Sequence, residues 1–597
     1  MAVILGSGCL AVFLGQDANW DTRNYHVYNP YALLAGRLDL DLAPAQLQSY
    51  FSPLIDLPVY WLNLHLPPWF VGFLLGSFHG FNAVLVFLIA RTVFVAGGNP
   101  AMFGPMLLAV LGCLNASFIA QLGTSAGDSS SSPLVLSGLY LLCHWCVKLR
   151  EQKVIVQPPA GSIGLLMGLA IGLKLTNAPF AVAMAITLAL IPAAATAARL
   201  RNLLLYIGGV LFSFMASSGW WFYEVWAKFG NPLFPQFNGH FRSELATATS
   251  VIDTRWGPVN LIETLAWPVW MGLRPARIHD APIYNYLWVA TFAVLLTWLA
   301  DGIWNLWRHR ARARGSVFVW LAPEMITTWL LIFSGLSYVV WLKIFSIGRY
   351  MTAIEVMLPL FVYLGFRAFI AHRMALAITL LVSLWSLSGG VVHSNFGLRA
   401  AWSDQAYKVD LPAMESPSTA TVLIAADGSP NSWLLSQFPP AVAVYRVSGN
   451  FPRTAAYDKL VRAKTAARAG KVYVIAQALQ DFNSMRLVQL NHELGFYSFA
   501  REPVICAAIG RATAKMSRYK AFSIDTDLSG ACRARLINDA ATSQESNADY
   551  LVLANQELIA FGYQLATESC RTYSAFIGQM DFPYQFCEAK KMKLNNE

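Results

Sequence analysis

Long apolar stretches recur through the first two thirds of the chain and restrict the folds that it can adopt. A transmembrane helix needs about 20 mainly apolar residues to cross the hydrocarbon core of a bilayer. Apolar stretches near this length lie at residues 2–15, 69–90, 102–121, 133–147, 161–175, 179–196, 203–221, 284–305, 322–342, 350–370 and 374–393. The pattern predicts a polytopic α-helical membrane protein with about eleven transmembrane helices.

The first of these stretches is short and has no basic residues before it. A cleaved signal peptide is one alternative interpretation, and a chain that truly begins further upstream is another. No small-residue cleavage site stands out before Gln16. We therefore expect residues 2–15 to form a membrane helix.

Charged residues are scarce and unevenly placed. They make up 13% of the 597 residues, about half the usual share, which argues against a soluble enzyme, a disordered scaffold or a coiled coil. Residues 1–397 hold 22 Lys and Arg with 15 Asp and Glu, whereas residues 398–597 hold 21 and 18. This contrast predicts a transmembrane domain at 1–397 and a water-soluble domain at 398–597. The net charge of +10 fits cytoplasmic loops and anionic lipids, and we do not attribute it to nucleic-acid binding.

The placement of basic residues predicts the orientation of the chain. With the N-terminus inside the cell, the basic clusters between the stretches all fall on the cytoplasmic side. These clusters are Arg91; Lys148, Arg150 and Lys153; Arg199 and Arg201; Arg308, Arg310, Arg312 and Arg314; and Arg367 and Arg373. The opposite loops carry Asp17, Asp21, Asp39, Asp41, Asp56, Asp128, Glu224, Glu244, Asp253, Glu263 and Asp280. Eleven spans then place the C-terminal domain outside, in a periplasm-like space.

Four cysteines lie in the domain that we expect to be exported. An oxidising compartment favours disulfides, and four cysteines allow three pairings. We favour pairing between neighbours in the sequence, Cys506 with Cys532 and Cys570 with Cys587.

Two outer loops are long, at residues 16–68 and 222–283. Both are rich in Trp, Tyr and Pro, which indicates an aromatic belt at the membrane surface, with some rings available to stack on sugars. The first loop opens with QDANWDTRNYH, in which Asp17 and Asp21 would share a face if the segment were helical. Acids just outside a bilayer are candidates for a general base, and a solvated loop is the alternative.

Two short motifs carry a family resemblance. The string from Trp20 to His26 resembles the opening of the first outer loop in bacterial members of the GT-C superfamily of integral-membrane glycosyltransferases. The string GNPLFP at residues 230–235 resembles a loop that follows a middle span in such proteins. The resemblance is architectural over residues 1–397, and no motif extends it into the C-terminal domain.

The resemblance implies a reaction. A polyprenyl-phosphate-linked sugar would lie in the outer leaflet of a bacterial inner membrane, and a glycan, lipid or protein acceptor would attack its anomeric carbon with inversion. The base would be Asp21, or Asp17 if the register differs, and His26 would position the acceptor or bond a backbone carbonyl. Family members differ in their use of a divalent cation, so participation of Mg²⁺ or Mn²⁺ stays open.

Further candidates follow from charge and position. The donor phosphate would be bound by Arg349, Lys174, Arg274 and Arg277. Alternatives are a snorkelling arginine at 349, a helix end at 174 and a solvated amphipathic helix near 274–277. We expect substrate contacts from Trp20, Tyr25, Tyr28, Glu224, His279 and Glu355. Glu355 lies within an apolar stretch, where a carboxylate is costly, and we expect it to pair with Arg349 or Lys343. We expect Asp128 to cap a span, and an acid of the active site is the alternative.

The C-terminal part has a different pattern. Apolar runs at 421–426, 441–447 and 471–477 alternate with helical segments such as 457–470, which predicts a small α/β layer with a parallel sheet. We expect a helix at 546–566 and an accessory role for this domain.

A transporter or flippase of polyprenyl-linked glycans is an alternative function for the whole protein. Such a protein is expected to have paired halves and charged residues near the middle of the membrane, whereas this chain has its charges in the outer loops. A non-catalytic envelope assembly protein is a third.

Overall fold

The protein is described here from a computed structural model. It describes residues 1–152, 157–191, 196–249, 254–279, 282–309, 325–496, 502–527, 530–537 and 546–592. Lys153, Arg310, Arg312, Arg314, Asp253 and Asp280, named above for the orientation, lie outside these ranges.

The first two thirds of the chain are helical. The helices are α1 (Ala2–Leu14), α2 (Tyr28–Leu34), α3 (Leu57–His65), α4 (Pro68–His79), α5 (Phe81–Ala96), α6 (Phe103–Cys113), α7 (Ala116–Gln121), α8 (Asp128–Gln152), α9 (Ala160–Leu173), α10 (Ala178–Leu190), α11 (Thr196–Phe214), α12 (Trp220–Phe229), α13 (Asn238–Phe241), α14 (Leu261–Leu273), α15 (Leu287–His309), α16 (Met325–Ile344), α17 (Thr352–Glu355), α18 (Leu358–Arg367) and α19 (His372–His393).

Every apolar stretch found in the sequence contains helix, but the helices differ in length. Among the described residues, five helices are long and apolar enough to cross a membrane: Pro68–Ala96, Asp128–Lys148, Thr196–Phe229, Ile326–Ile344 and His372–His393. A sixth candidate is the pair Gly348–Glu355 and Leu358–Arg367, bent by 53°. The helical part is that of a multi-pass membrane protein, and helix length does not confirm the prediction of eleven spans.

The ends of several helices meet on one side of the bundle. The start of α8, the end of α9 and the segment before α17 all meet the loop that follows α1, as the ion pairs described below require. The opposite ends of α8 and α18 carry Lys148 and Arg367. The acidic and basic ends therefore lie on opposite sides of the helical bundle.

The C-terminal part is built around a sheet. Its helices are α20 (Ala455–Ala466), α21 (Phe482–Phe496), α22 (Pro503–Thr513) and α23 (Asn547–Ile559). The strands of the chain are β1 (Gln16–Asp17), β2 (Arg399–Ala400), β3 (Tyr407–Val409), β4 (Thr421–Ala425), β5 (Ala443–Arg446), β6 (Val472–Gln477), β7 (Phe522–Thr526), β8 (Cys532–Leu536), β9 (Tyr563–Tyr573), β10 (Ala575–Ile577), β11 (Met580–Asp581) and β12 (Tyr584–Lys591).

The main sheet has five strands in the order β5-β4-β6-β12-β9. β4 is parallel to both β5 and β6, so the three predicted strands and their parallel pairing are confirmed. β12 and β9 add to the sheet in antiparallel fashion, which the sequence did not predict. The predicted helix at 546–566 ends at Ile559, because β9 begins at Tyr563.

The first outer loop, residues 16–68, is packed into the C-terminal part. Four of its tyrosines share a hydrophobic cluster with Val422, Ile424 and other sheet residues, and these are Tyr25, Tyr28, Tyr31 and Tyr60. Leu42 forms a parallel β-bridge with Tyr445 at the edge strand β5. Apolar surface of the loop is thus removed from water by the sheet, so the loop and the sheet stabilise each other.

One of the two predicted disulfides is present. Cys570 and Cys587 are bonded and join the two antiparallel strands β9 and β12. Cys506 and Cys532 are buried free thiols, so the second pairing is not formed in the structure. Both pack in a small separate core made by α21, α22, β7 and β8.

Candidate active site

The first outer loop begins with a strand and not with a helix. Gln16 and Asp17 pair with Ala400 and Arg399, so the prediction that Asp17 and Asp21 share a helical face is wrong. The Asp17 carboxylate accepts hydrogen bonds from the backbone and side chain of Asn19, from the Thr22 hydroxyl at 2.7 Å, and from the backbone and hydroxyl of Ser125. Asp17 therefore ties the loop to the segment before α8.

Asp21 precedes a π-helical turn, Thr22–His26. Hydrogen bonds in a π-helix join residues five apart, and such turns are common at functional sites. Asp21 and His26 stand at the two ends of this turn. The turn continues directly into α2 through Val27.

Asp21 forms an ion pair with an arginine from the far end of the sequence. Arg349 Nη1 lies 2.8 Å from Asp21 Oδ2, and the two side chains are 22% and 16% exposed. Arg349 lies in the short 3₁₀ turn Gly348–Met351 that precedes α17. The sequence predicted both residues as site residues, and the structure brings them together.

A second ion pair adjoins the first. Lys174 Nζ, at the end of α9, lies 2.6 Å from Asp128 Oδ1, at the start of α8. Lys174 also donates a hydrogen bond to the carbonyl of Ala126. Asp128 Oδ2 lies 4.0 Å from Arg349 Nε, and Lys174 and Arg349 both lie over the ring of Tyr350.

His26 has a carboxylate partner of its own. Its Nδ1 lies 2.6 Å from Oδ1 of Asp56, and both side chains are almost completely buried. Asp56 comes from the end of the first outer loop, just before α3. We refer to Asp21, His26, Asp56, Asp128, Lys174 and Arg349 as the Asp21 cluster.

Burial and charge act in opposite directions on these carboxylates. Burial raises the pKa of Asp21, but the positive charges of Arg349, His26 and Lys174 outweigh it and hold that pKa below its usual range. For Asp17, burial is outweighed by Arg399 and by hydrogen bonds, and its pKa is also lowered. At Asp56 burial prevails over the charge of His26, and the pKa is raised.

His279 borders the cluster from the second outer loop. Its imidazole packs on Gly348, where an added Cβ would come within 2.4 Å of the ring. Burial, and then the charge of Arg349, lowers the pKa of His279 to about 4. A neutral imidazole therefore lies against Gly348, the residue before the arginine that pairs with Asp21.

Glu355 does not pair with Arg349 or Lys343, and that prediction is wrong. Its Oε1 accepts hydrogen bonds from the indole of Trp288 at 2.9 Å and the hydroxyl of Ser117 at 3.1 Å. The residue follows Arg349 by six positions across a turn, so the two side chains diverge. Neutral donors from α7 and α15 therefore bind Oε1, whereas the buried Oε2 has no hydrogen-bond partner.

Several other predicted residues have local partners. Arg274 and Arg277 stack on the tryptophans of α14, and Arg277 also pairs with Glu263. The Tyr28 hydroxyl donates to Asp41, and Glu224 is exposed on α12. Tyr25 is buried against His26 and Phe51, and Trp20 is half-buried.

The GNPLFP string forms a turn that supports the first outer loop. Gly230 ends α12 in the left-handed conformation. Phe234 stacks on Phe229 and contacts Tyr50 edge to face. This motif therefore packs against the first outer loop through Tyr50 and contributes no residue to the Asp21 cluster.

The sequence did not predict Asp56 or Tyr350 as site residues, and for Asp128 it favoured a helix cap. Asp56 lies 30 positions from His26 and has no motif around it. Asp128 was assigned as a helix cap because it opens the run DSSSSP. Its carboxylate pairs with Lys174, and the predicted position of both residues on the outer side was the available signal.

In the described part of the chain, the best-placed carboxylates of the cluster are paired with cationic side chains. Among the residues that the structure describes, no group of three or more His, Cys, Asp and Glu side chains is arranged to hold a metal ion. Asp21 and Asp128, the carboxylates best placed to bind one, are paired with Arg349 and Lys174. The cations of this site are supplied by the chain itself.

The overall structure is similar to that of the oligosaccharyltransferase of Archaeoglobus fulgidus. The apo form has a TM-score of 0.40 and 11% sequence identity, covering 91% of this chain and 75% of that chain. The complex with Zn and sulfate has a TM-score of 0.38 and 12% identity, covering 89% and 73%. No family model and no curated protein matches the chain. The chemistry of the Asp21 cluster therefore carries the functional proposal.

Proposed function

We propose that the protein is a membrane glycosyltransferase that moves a sugar from a polyprenyl-phosphate donor to a glycan, lipid or protein acceptor. The observation that carries this proposal is the ion pair between Asp21 and Arg349, with Lys174 beside it. A carboxylate and two cations meet at the acidic end of an apolar helical bundle. A lipid-linked phosphate needs this combination of apolar surface and positive charge.

The cations would stabilise the departing phosphate. The acceptor oxygen attacks the anomeric carbon and forms the new C–O bond, while the bond to the phosphate oxygen breaks and its electron pair leaves with the polyprenyl phosphate. Arg349 has five N–H donors, so it can bind a phosphate oxygen without releasing Asp21. Lys174 adds a second charge to the same oxygens.

Asp21 would act as the general base that takes the proton of the acceptor hydroxyl. The low pKa of Asp21 keeps it ionised and ready to accept. Asp17 is less suited to this role, because both of its oxygens already accept hydrogen bonds. His279, Tyr25 and Tyr350 would line the space around the reacting groups.

The first experiment measures binding of undecaprenyl monophosphate to the purified full-length protein in detergent. We expect Arg349→Gln and Lys174→Met to weaken binding by on the order of 10-fold each, since each removes a charged contact with phosphate. Arg367→Gln is the matched control, because Arg367 is exposed at the opposite end of the bent helix pair. Equal binding by all four proteins would contradict the proposal.

The second experiment identifies the product. Mass spectrometry of envelope glycans in a deletion strain should show a missing sugar that the wild-type gene restores and Asp21→Asn does not. Normal abundance of the variant in the membrane is the control. Full restoration by Asp21→Asn would mean that Asp21 is not the base.

The proposed location is a bacterial inner membrane, with the Asp21 cluster and the C-terminal domain on the periplasmic side. A reporter enzyme fused after residue 400 should be active only outside the cytoplasm. Reporter activity only in the cytoplasm would place the Asp21 cluster on the opposite side of the membrane from a donor in the outer leaflet, and would contradict the proposal.

A further inference from the structure

A groove between α9 and α11 lies away from the Asp21 cluster. Its cavity has a volume of about 460 Å³ and is lined by Gly161 and Leu165 of α9 and by residues of α11. The groove begins beside the start of α9, whereas Lys174 of the Asp21 cluster follows the end of that helix. The helix rises about 20 Å between Gly161 and Lys174, so this place, which we call the α9–α11 groove, is separate from the candidate active site.

Glycines bring α9 and α11 into contact and also leave the groove open. A Cβ at Gly164 would come within 2.2 Å of the Tyr206 carbonyl oxygen, and one at Gly168 within 2.2 Å of the Val210 carbonyl oxygen. These two glycines therefore allow the helix backbones to touch, as small residues do between membrane helices. Gly208 differs, because it lines the groove and a Cβ there would have nothing within 4 Å. A larger side chain at this position would fill the groove without displacing the backbone.

The length of the groove matches one leaflet of a bilayer. Its lining runs along α11 from Arg201 to Phe212, which is a rise of about 16 Å. Half of the hydrocarbon core of a membrane is about 15 Å thick. Leu204 and Phe212 border the groove and are 59% and 69% exposed, so an acyl chain of one leaflet can lie along them.

A cation lies at one end of this apolar groove. Arg201 is exposed there, and none of the other described residues that line the groove is charged. Lipid chains are as apolar as leucine, so leucine side chains alone do not select one lipid over another. A guanidinium group does select, because its planar donors bind phosphate oxygens. Basic pockets between membrane helices bind anionic headgroups for this reason.

We propose that the α9–α11 groove binds one anionic phospholipid, with the phosphate on Arg201 and one acyl chain extending past Gly208 towards Phe212. The orientation expected from the sequence places Arg201 on the cytoplasmic side, where anionic lipids attract basic residues. The lipid would be a phosphodiester such as phosphatidylglycerol. This site does not depend on the proposed glycosyl transfer, because it lies at the opposite end of α9 from the Asp21 cluster.

A second copy of the chain is the competing occupant, because glycine-lined surfaces also bind helices. Two copies in one membrane have the same orientation, and a two-fold dimer uses the same surface of each copy. The Arg201 side chains of both copies would then lie at the same depth beside the shared groove. Like charges at a contact oppose association, whereas a phosphate neutralises the arginine. Charge therefore favours the lipid.

The first experiment titrates the purified full-length protein in detergent with phosphatidylglycerol or with phosphatidylcholine of identical acyl chains, and native mass spectrometry counts the bound lipid. We expect tighter binding of phosphatidylglycerol. Arg201→Gln should weaken that binding by about 5-fold and leave phosphatidylcholine unchanged, since it removes one cation near the headgroup. Arg199→Gln is the matched control and should stay within twofold of wild type, because Arg199 is exposed about 200° around the same helix. Equal affinity of the wild type for both lipids, or equal losses in the two variants, would overturn the proposal.

The second experiment locates the acyl chain. Phosphatidylglycerol with a diazirine in one chain should label α11 between Leu204 and Phe212 in the wild type, and Gly208→Leu should abolish this label. Gly335→Leu is its control, because Gly335 is an exposed glycine of α16 whose Cβ would also have nothing within 4 Å. Unchanged labelling in Gly208→Leu would overturn the proposal, and so would a wild-type dimer that this substitution converts to a monomer. The titration of Arg201→Gln tests the site even if Gly208→Leu fails to fold.

Discussion

Two aspartate–arginine pairs that involve the first outer loop can be compared directly. Asp41 pairs with Arg37 through contacts of 2.6 and 2.8 Å, and it also accepts hydrogen bonds from the Tyr28 hydroxyl and the Val444 amide. Asp21 pairs with Arg349 across 2.8 Å, and both side chains are partly exposed. The first pair is closed and almost fully buried, at 2% and 3% exposure.

The difference shows which pair belongs to the fold and which to the site. Arg37 also donates to the carbonyls of Pro440 and Val442, so the closed pair joins the loop to the C-terminal sheet and has no capacity left for a ligand. The open pair joins the loop to the helical bundle, and water reaches it. The same kind of ion pair thus serves two purposes, and the exposure of the side chains distinguishes the two pairs.

The largest effect on stability is expected at the closed pair. Asp41→Asn leaves Arg37 as an uncompensated buried cation, and removing one member of such a pair costs about 3–5 kcal/mol. Thermal unfolding of the purified protein in detergent should show a large fall in Tm. A change within experimental error would mean that the loop and the sheet are not held together by this pair.

The largest effect on activity is expected at the open pair. Arg349→Gln should lower glycan formation by about 10²- to 10³-fold, because it removes a donor aimed at the departing phosphate. Its effect on Tm should be clearly smaller than that of Asp41→Asn, since solvent reaches both side chains. A larger fall in Tm for Arg349→Gln than for Asp41→Asn would contradict the assignment of one pair to the fold and the other to the site.

A pH series sharpens the comparison further. The pKa of Asp21 is lowered in the folded protein, so its ionised form adds stability above the unfolded pKa of about 3.9. That stability is lost only as the pH falls through the lower folded value. The difference in Tm between wild type and Asp21→Asn should therefore be constant from about pH 5 to 8 and shrink below about pH 4. A difference that already shrinks between pH 7 and 6 would contradict the low pKa.

The smallest effect is expected at an exposed pair of the same loop. Asp39 lies 2.8 Å from Lys228 but is 97% exposed. Asp39→Asn should change the free energy of unfolding by less than about 1 kcal/mol, because solvent screens such pairs. Asp39→Asn is the matched control for Asp41→Asn, because the two aspartates lie two positions apart in the same loop. A loss as large as that of Asp41→Asn would show that the loop tolerates no substitution, whatever the environment of the carboxylate.

The sequence predicted elements whose signal is local. The strands around Val422, Val444 and Val474 have compact apolar runs, and their parallel pairing followed from the helix between them. Long apolar stretches likewise indicated where helices lie, although hydropathy does not record where a helix breaks, as at the bend between Glu355 and Leu358. β9 and β12 were missed because their residues are largely polar on the exposed side.

The candidate site was predictable in part for the same reason. Asp21, Lys174 and Arg349 could be named because charge next to an apolar stretch is conspicuous. Asp128, the partner of Lys174, and Asp56, the partner of His26, could not be assigned, since a contact between residues tens of positions apart leaves no local pattern. Asp17 and Glu355 were predicted as site residues but lie elsewhere in the network of contacts. Both accept hydrogen bonds from neutral groups, and no sequence pattern indicates these bonds.

The junction between loop and sheet has a consequence for biogenesis. In open parallel sheets, ligands bind beyond the carboxyl ends of the strands, and here that edge of β4 is occupied by Gln46, which bonds Gly428 and Asn450. Gln46 leaves the ribosome roughly 400 residues before these partners, and such distant contacts form slowly. The loop that bears Asp21 therefore has to wait, incompletely ordered, until translation of the last third is finished. Premature termination in that third would disable the membrane part as well.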